Sequence, residues 1–215
     1  MKKFTSLLSL AASLLIMGMG SGTAWAQDAL QVTPSATQVT QDFDGMWDDA
    51  AQAATLDMPQ GWRVERQMNA PRTVGSFATA STTVMYTGGT SLASNAKNGT
   101  WNFASSSNPS DCSVGGLSTT VDGGTRCISV MTCLHNAGDE AITKLTLNYD
   151  IEKYRDGDNA AGFAVQLYIS TDGNTWSSAG DDFYTYFAPD AATQGAAVVP
   201  ISTTAIGGKQ LKWDN

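Results

Sequence analysis

The chain has 215 residues, of which 42% are hydrophobic and 15% are charged, with 21 glycines and 6 prolines. This is the composition of one globular domain, and it excludes a disordered tail or a long coiled coil, which needs more Glu, Lys and Arg on its wet faces. The formal net charge of −8 and an isoelectric point near 4.4 leave little basic surface with which to neutralise phosphates. We therefore expect no nucleic-acid partner.

The amino terminus has the pattern of a secretory signal peptide. Lys2-Lys3 precedes an apolar run over residues 7–17, and Ala24-Trp25-Ala26 supplies small residues at the cleavage positions. The run is about a dozen residues long, whereas a membrane span needs about 20. The sequence predicts that residues 1–26 are removed before Gln27, that no segment spans a membrane, and that the protein is secreted or held at the cell surface.

Short alternating segments between turn residues predict β-strands in the remainder. Residues 144–152 alternate apolar and polar side chains, which is typical of a half-buried strand. Residues 163–169 repeat the pattern and end at Asp172-Gly173-Asn174, a hairpin signal. The other predicted strands cover residues 62–67, 82–87, 100–104, 117–121, 126–135, 183–187, 196–202 and 210–213.

One segment, residues 46–56, is predicted to be helical. Asp48 and Asp49 suit the first turn of a helix, and the alanines that follow suit its interior. Ten or so short strands with one short N-terminal helix predict an all-β fold, an antiparallel and jelly-roll-like β-sandwich that forms a single domain over residues 27–215.

Three cysteines remain after the signal peptide, so one disulfide and one thiol are expected in an exported chain. Cys127 and Cys133 lie on one predicted strand, about 20 Å apart and too far for a bridge, so any bridge must use Cys112. A hairpin loop at residues 122–125 would bring Cys112 nearer to Cys133 than to Cys127, and we predict the Cys112–Cys133 pair, with Cys127 left open as a partner. The rival interpretation adds His135 to the three cysteines as a zinc set.

The chain has few residues that could act in catalysis. His135 is the single histidine, and no nucleophile lies in a recognisable turn, so we expect no enzyme. The loop Asp156-Gly157-Asp158-Asn159 supplies the hard oxygen ligands that calcium prefers, although it lacks the distal Glu of an EF-hand. Asp156 and Asp158 are therefore candidate ligands of a structural calcium ion, with a simple turn as the alternative.

Aromatic side chains late in the chain are candidates for sugar binding. Trp176 follows the hairpin tip, and Tyr184 and Tyr186 lie close to it in sequence. Sugar-binding sandwiches stack apolar ring faces on exposed aromatic side chains, with polar groups nearby to fix orientation. These three residues could form such a platform, while burial in the core is the alternative for the tryptophan.

Several short motifs occur in a fixed order along the chain. They are Phe43-Asp44, Gly61-Trp62, Trp101-Asn102-Phe103, residues 111–117, residues 134–138, residues 142–143, Ile151-Glu152-Lys153-Tyr154-Arg155, residues 170–176 and Leu211-Lys212-Trp213. In this order they resemble the motifs of a β-sandwich domain of secreted bacterial proteins, among them surface-anchored proteins and extracellular nucleases with lamin-tail or sorting domains.

This resemblance implies a jelly-roll-like domain without catalytic residues of its own. It implies a structural ion pair between Glu152 and Arg155, and Asp44 as a further calcium ligand, by analogy with jelly-roll sugar-binding modules. The chain departs from the family in having Cys112 where an Arg is usual. The family's closing strand, with an Ile-Asp-Asp motif, would fall after Asn215, so we expect a chain truncated before its last strand and followed by further domains.

These observations lead to three hypotheses of function. The first is an exported, non-catalytic β-sandwich module that acts in adhesion or as the accessory domain of a larger secreted or surface protein. The second is a carbohydrate-binding module with structural calcium, whose partner is a glycan. The third is the N-terminal fragment of a secreted nuclease or esterase. No cofactor other than calcium is expected.

Overall fold

A computed structural model gives the conformation of most of the chain. The residues that it describes are 3–6, 10–17, 28–35, 38–46, 55–68, 73–88, 98–105, 108–118, 125, 127–156, 162–190, 195–196 and 202–211.

β-Strands dominate these residues, which contain no α-helix. The strands are β1 (Lys3–Ser6), β2 (Leu10–Met17), β3 (Leu30–Val32), β4 (Leu56–Asp57), β5 (Trp62–Gln67), β6 (Thr83–Val84), β7 (Tyr86–Gly88), β8 (Gly99–Ser105), β9 (Asn108–Leu117), β10 (Cys127–Asn136), β11 (Leu145–Lys153), β12 (Arg155–Asp156), β13 (Phe163–Ser170), β14 (Ser177–Ser178), β15 (Tyr184–Phe187), β16 (Gly195–Ala196) and β17 (Ser202–Leu211). Short 3-10 turns occur at Asp44–Met46, Phe77–Thr79 and Asp181–Phe183. The predicted all-β class is confirmed.

Most predicted strands occur where the alternation placed them. The predicted strand over residues 117–121 overlaps β9 only at Leu117, where β9 ends, and residues 119–121 lie outside the described residues. The helix predicted over residues 46–56 has only its ends in the described part of the chain. There, Met46 closes a 3-10 turn and Leu56 begins β4, while residues 47–54 lie outside the described residues.

Six strands form one sheet in the order β17-β11-β1-β9-β8-β7. β8 and β9 pair antiparallel, as do β11 and β17. β1 lies between β9 and β11 and runs parallel to both, and β7 runs parallel to β8.

Seven strands form the second sheet, whose order is β14-β13-β2-β10-β3, with β15 paired to β13 and β5 paired to β10. β2 runs parallel to β10 on one side and to β13 on the other. Both large sheets are therefore mixed, which corrects the prediction of an antiparallel arrangement throughout. Two further pairs, β4–β6 and β12–β16, form small two-stranded sheets.

The segment predicted to be a leader supplies the central strands β1 and β2. Strands of parallel sheets are typically covered on both faces, and they read in sequence as continuous apolar runs. The run over residues 7–17 has this character, so one pattern suits both a signal peptide and a buried strand. Removal of residues 1–26 stays a prediction, and it would take a strand from the middle of each large sheet.

One apolar cluster contains side chains from both large sheets. From the six-stranded sheet it includes Cys112, Val114, Tyr149, Ile151 and Leu211, and from the seven-stranded sheet it includes Val64, Ile128, Val130, Leu134, Phe163, Val165 and Leu167. The sheets approach closely at Gly116, where a Cβ atom would lie 2.5 Å from Cγ1 of Ile128 in the other sheet. Within its own sheet the same atom would lie 2.5 Å from the Gly99 carbonyl oxygen of β8.

Two smaller clusters lie on other faces of the sheets. Trp101, Phe103 and Tyr154 stack on the six-stranded sheet, with ring centroids 6.1 Å and 5.0 Å apart. Phe77 packs with Met131 beyond the seven-stranded sheet, and the guanidinium of Arg63 lies 4.8 Å from the centroid of the Phe77 ring. Each large sheet therefore has apolar side chains packed on the face that it shares with the other sheet and on part of its opposite face.

The close approach at Gly116 predicts a specific cost for a methyl group there. Gly116→Ala should lower the free energy of unfolding by about 1–3 kcal/mol, because a backbone carbonyl cannot move aside as a side chain can. Gly207→Ala is the matched control, since Gly207 also lies in a strand but its Cβ would meet only the Asn148 Oδ1 at 3.9 Å. Urea unfolding of the three proteins measures this difference, and equal midpoints for both variants would refute the close contact.

Candidate functional site

Two exposed tyrosines lie on the same face of β15. Tyr184 and Tyr186 are two residues apart, so their side chains point to the same side of the strand. Their exposed fractions are 49% and 53%, and with Met68 they are the exposed large apolar side chains among the described residues. Phe187 points the other way and stacks on Phe163 of β13 at 4.4 Å. This stack holds the strand that carries the tyrosines.

The neighbouring strand β13 places a polar group beside the tyrosines. Gln166 is paired with Tyr184 and Ala164 is paired with Tyr186 across the antiparallel ladder. The Gln166 amide donates to the carbonyl oxygens of Leu167 at 2.9 Å and Gly180 at 3.2 Å, which orients its side chain. Its amide oxygen can accept a hydrogen bond from a ligand on this side of the sheet. We call Tyr184, Tyr186 and Gln166 the tyrosine surface.

A glycine leaves room for one of the rings. Gly162 has a φ of +66°, and a Cβ there would lie 2.5 Å from the hydroxyl oxygen of Tyr186 and 2.3 Å from the Phe187 carbonyl oxygen. The tyrosine hydroxyl therefore lies directly over the glycine backbone. A larger residue at position 162 would displace the ring from the surface.

Trp176 occupies a different environment from the two tyrosines. It is half-buried against the Phe77 cluster, and its indole Nε1 donates to the Gly75 carbonyl oxygen at 2.8 Å. Because part of the ring is covered, Trp176 anchors the segment that follows β13. Of the three candidate ligand-binding residues, the structure brings Tyr184 and Tyr186 together as an exposed pair.

The turn before Trp176 is organised by one carboxylate. Asp172 accepts hydrogen bonds from the backbone N–H groups of Asn174 at 2.8 Å and Thr175 at 2.7 Å, and from the hydroxyls of Ser170 and Thr175. The Gly173 carbonyl oxygen accepts from the Phe77 backbone N–H at 2.8 Å. These donors, the Thr175 N–H first, hold the pKa of Asp172 well below its ordinary value. β13 and β14 pair across this turn, so the predicted hairpin is confirmed.

Acidification should weaken this turn. The folded-state pKa of Asp172 lies below its unfolded value of about 3.9, so its stabilising contribution is present above that pH and is lost as the pH falls towards the folded-state pKa. Asp172→Ala should lower the urea midpoint most at neutral pH, and by progressively less as the pH falls from about 4 towards 2. Asp139→Ala, at an exposed turn aspartate, is the control. A pH-independent effect of Asp172→Ala would contradict this role.

Asp44 lies in a 3-10 turn, and this turn and the residue before it contact β9, β8 and β5. Its Oδ1 accepts the Cys112 backbone N–H at 3.0 Å. The adjacent Phe43 packs edge-on against Trp62 with centroids 4.9 Å apart, and the Met46 carbonyl oxygen accepts from the Asn102 amide at 2.6 Å. Four of the motifs used in the family resemblance thus meet at this turn, where the Asp44 carboxylate has a structural role.

The calcium set predicted from Asp44, Asp156 and Asp158 stays a prediction. Asp156 lies in β12, its side chain is outside the described part, and Asp158 lies outside the described residues altogether. In the described ranges, no group of three or more His, Cys, Asp or Glu side chains is placed to hold a metal ion. His135, the histidine of the zinc alternative, donates from Nδ1 to Oε1 of Gln31 at 2.9 Å.

The cysteines are buried thiols, and the predicted Cys112–Cys133 disulfide is not formed in the structure. The prediction depended on a hairpin between the strands now seen as β9 and β10, but these lie in different sheets. Cys112 belongs to the cluster shared by the sheets, whereas Cys133 points to the Phe77 side of β10. Burial raises the pKa of both thiols to about 12, with Asp44 adding to the shift at Cys112.

This burial predicts thiols that do not react while the protein is folded. At about pH 8, a thiol with a pKa of about 12 is deprotonated in roughly one molecule in ten thousand, so Cys112 and Cys133 should be inert to a disulfide reagent. In guanidinium chloride all three cysteines should react. Intact mass after alkylation measures both states. Rapid labelling of the folded chain, or a cysteine pair that resists alkylation when it is unfolded, would contradict the structure.

The six-stranded sheet carries a buried hydrogen-bond network around Glu152 that the sequence analysis did not predict. The Glu152 carboxylate accepts hydrogen bonds from the Ser113 hydroxyl and, at 3.1 Å, from the Tyr154 hydroxyl. All three residues are buried, and burial raises the pKa of Tyr154 above its ordinary value. The Ser113 contact spans 39 residues, so no local signal could reveal it. The Arg155 side chain, the expected partner of Glu152, lies outside the described part.

Comparisons with protein-family models, curated proteins and solved structures gave no match to this chain. Within the residues that the structure describes, no helix has the length and apolar character needed to cross a membrane.

Proposed function

We propose that the chain is an exported, non-catalytic β-sandwich module that acts by binding, in adhesion or as the accessory domain of a larger secreted or surface protein. The leader-like pattern of residues 1–26 supports export. Joint packing of the two large sheets in one apolar cluster supports a sandwich, because sheets stacked face to face bury their inner side chains together.

The ligand class of this module is carbohydrate, and the paired exposure of Tyr184 and Tyr186 is the observation that carries this proposal. Apolar side chains in sandwiches normally point inward, yet these two rings point to solvent from a strand whose other face is packed. Tyrosine offers an apolar face for a sugar ring and a hydroxyl at its edge, and few rotatable bonds are lost on binding. Gln166 supplies the neighbouring polar group.

Two observations support a binding role over a catalytic one. The buried carboxylate of Glu152 and its hydroxyl partners lie beneath covered surface, where a substrate cannot reach them. The single histidine, His135, is hydrogen-bonded to the amide of Gln31 rather than to a nucleophile. Both arrangements serve the fold.

Glycan retention tests the proposal directly. The full chain should be retarded in affinity gels that contain at least one of cellulose, xylan, chitin or starch, or should bind a printed glycan. Tyr184→Ala and Tyr186→Ala should each weaken binding about tenfold, which corresponds to about 1.4 kcal/mol for one stacked ring. The Phe variants should retain most of the affinity because the ring face is kept.

Met68→Ala is the matched control. Met68 is the other exposed large apolar residue in the part of the chain that the structure describes, and it follows β5, which lies four strand positions from β15 in the same sheet. Its removal should leave glycan binding unchanged. Failure of the wild-type chain to bind any probe, or equal binding by the double alanine variant, would overturn carbohydrate as the ligand.

A further inference from the structure

A third tyrosine lies on the same face of the sheet as the two exposed ones. Tyr168 of β13 is two residues beyond Gln166, so their side chains point to the same side. That side carries Tyr184 and Tyr186, because Gln166 is paired with Tyr184 across the ladder. Leu167, between them on β13, points the other way into the shared apolar cluster. Tyr168 is half-buried, so part of it is open to solvent next to the tyrosine surface.

The three tyrosines occupy successive levels along the strand direction. β13 and β15 run antiparallel, so the levels of Tyr186, Tyr184 and Tyr168 correspond to positions 164, 166 and 168 of β13. Two residues of such a strand span about 6.8 Å, so the first and last levels are about 14 Å apart. Tyr168 lies one strand to the side, about 4.8 Å, so the three residues cross the sheet obliquely. We call them the tyrosine row.

A polar group lies opposite the ring at two of these levels. Gln166 is paired with Tyr184, and Ser178 of β14 is paired with Tyr168 along the same edge of β13. Ser178 is exposed, and its Oγ accepts the Gly180 backbone N–H at 3.1 Å, which leaves the hydroxyl hydrogen for donation. An apolar ring face with a polar group beside it suits one sugar unit. Its repetition at successive levels suits the linked units of a chain.

The charge around the tyrosine row disfavours acidic glycans. Residues 163–187 contain no Lys or Arg, and they contain the aspartates Asp172, Asp181 and Asp182. Lys209 of β17 reaches this region, where it is paired with Asp182 at 3.3 Å. The whole chain has a formal net charge of −8. An anionic polysaccharide would meet like charge here, whereas an uncharged one would not.

We propose that the tyrosine row binds an uncharged, linear polysaccharide chain, with linked sugar rings stacked in turn on Tyr186, Tyr184 and Tyr168. This inference rests on the carbohydrate ligand of the proposed function, and it specifies the form of that ligand. A single sugar ring is similar in size to one aromatic ring and cannot reach from the first level to the last. Tyr168 is therefore a further binding residue, whose contribution depends on the length of the ligand.

Isothermal titration calorimetry of the full chain tests this dependence. The probes are the disaccharides and hexasaccharides derived from cellulose, xylan, chitin and starch, with polygalacturonate as an acidic chain. A disaccharide stacks on Tyr184 and Tyr186, whereas a hexasaccharide also reaches Tyr168. We expect a hexasaccharide to bind about tenfold more tightly than the disaccharide of the same series, because it contacts one further ring. Polygalacturonate should not bind.

Variants of Tyr168 separate a sugar contact from a structural role. Tyr168→Ala should weaken hexasaccharide binding about tenfold and leave disaccharide binding unchanged, whereas Tyr168→Phe should keep both because the ring face remains. Tyr168→Leu keeps much of the buried volume without a ring face, and it should show the same selective loss as the Ala variant. Urea unfolding of each variant checks that the fold is retained.

The outcomes distinguish this inference from the proposal on which it rests. Hexasaccharide affinity that equals disaccharide affinity, or that Tyr168→Leu lowers no more than it lowers disaccharide affinity, would overturn the tyrosine row and leave a carbohydrate ligand in place. Preferential binding of polygalacturonate would overturn the uncharged ligand. A wild-type chain that binds none of the probes would overturn the carbohydrate ligand and the tyrosine row together.

Discussion

Both large sheets depend on the backbone pairing of the first seventeen residues. β2 joins β10 to β13, and β1 joins β9 to β11, in each case through parallel ladders on both edges. Among the described strands, these ladders alone make each sheet continuous. The shared apolar cluster depends on this continuity, because its members from β10 and from β13 are held at a fixed spacing by the strand between them. The tyrosine surface lies on β13 and β15 alone, so its local geometry does not include β2.

Polar groups fix the parts of the fold that hydrophobic packing leaves undetermined. The 3-10 turn at Asp44–Met46 is tied to β9 through the Cys112 backbone and to β8 through the Asn102 amide. Phe43, with a φ of +63°, tolerates a conformation unusual for an aromatic residue because its ring packs against Trp62 in the core. Glu152 has an equivalent role on the opposite side of the six-stranded sheet, where two hydroxyl groups satisfy a buried carboxylate. These contacts set the positions of segments far apart in sequence.

Local patterns predicted local structure well and tertiary arrangement poorly. Alternation located β5 at Trp62–Gln67, and two-residue spacing in β15 implied that Tyr184 and Tyr186 share a face. β9 and β10 lie in different sheets, and their pairings with β1 and β2 span more than a hundred residues, so the expected hairpin and the Cys112–Cys133 bridge are not formed in the structure. Trp176 looked like an exposed platform because its partner, the Gly75 carbonyl, is 101 residues distant. The apolar run near the amino terminus fits a leader and a buried strand equally, because both need only length and hydrophobicity.

Because β2 is near the amino terminus and pairs with strands made much later, the order of synthesis limits when the sheets can form. Leu10 leaves the ribosome early, yet its partners Ile128 and Val165 are made more than a hundred residues later. Pairings of such long range are slow to form, because the intervening chain must close a large loop first. The seven-stranded sheet cannot be completed until translation has passed β15, and the six-stranded sheet cannot be completed until it has passed β17. Such a delay keeps a nascent chain extended for much of its synthesis, which is the state in which a translocation channel can accept it.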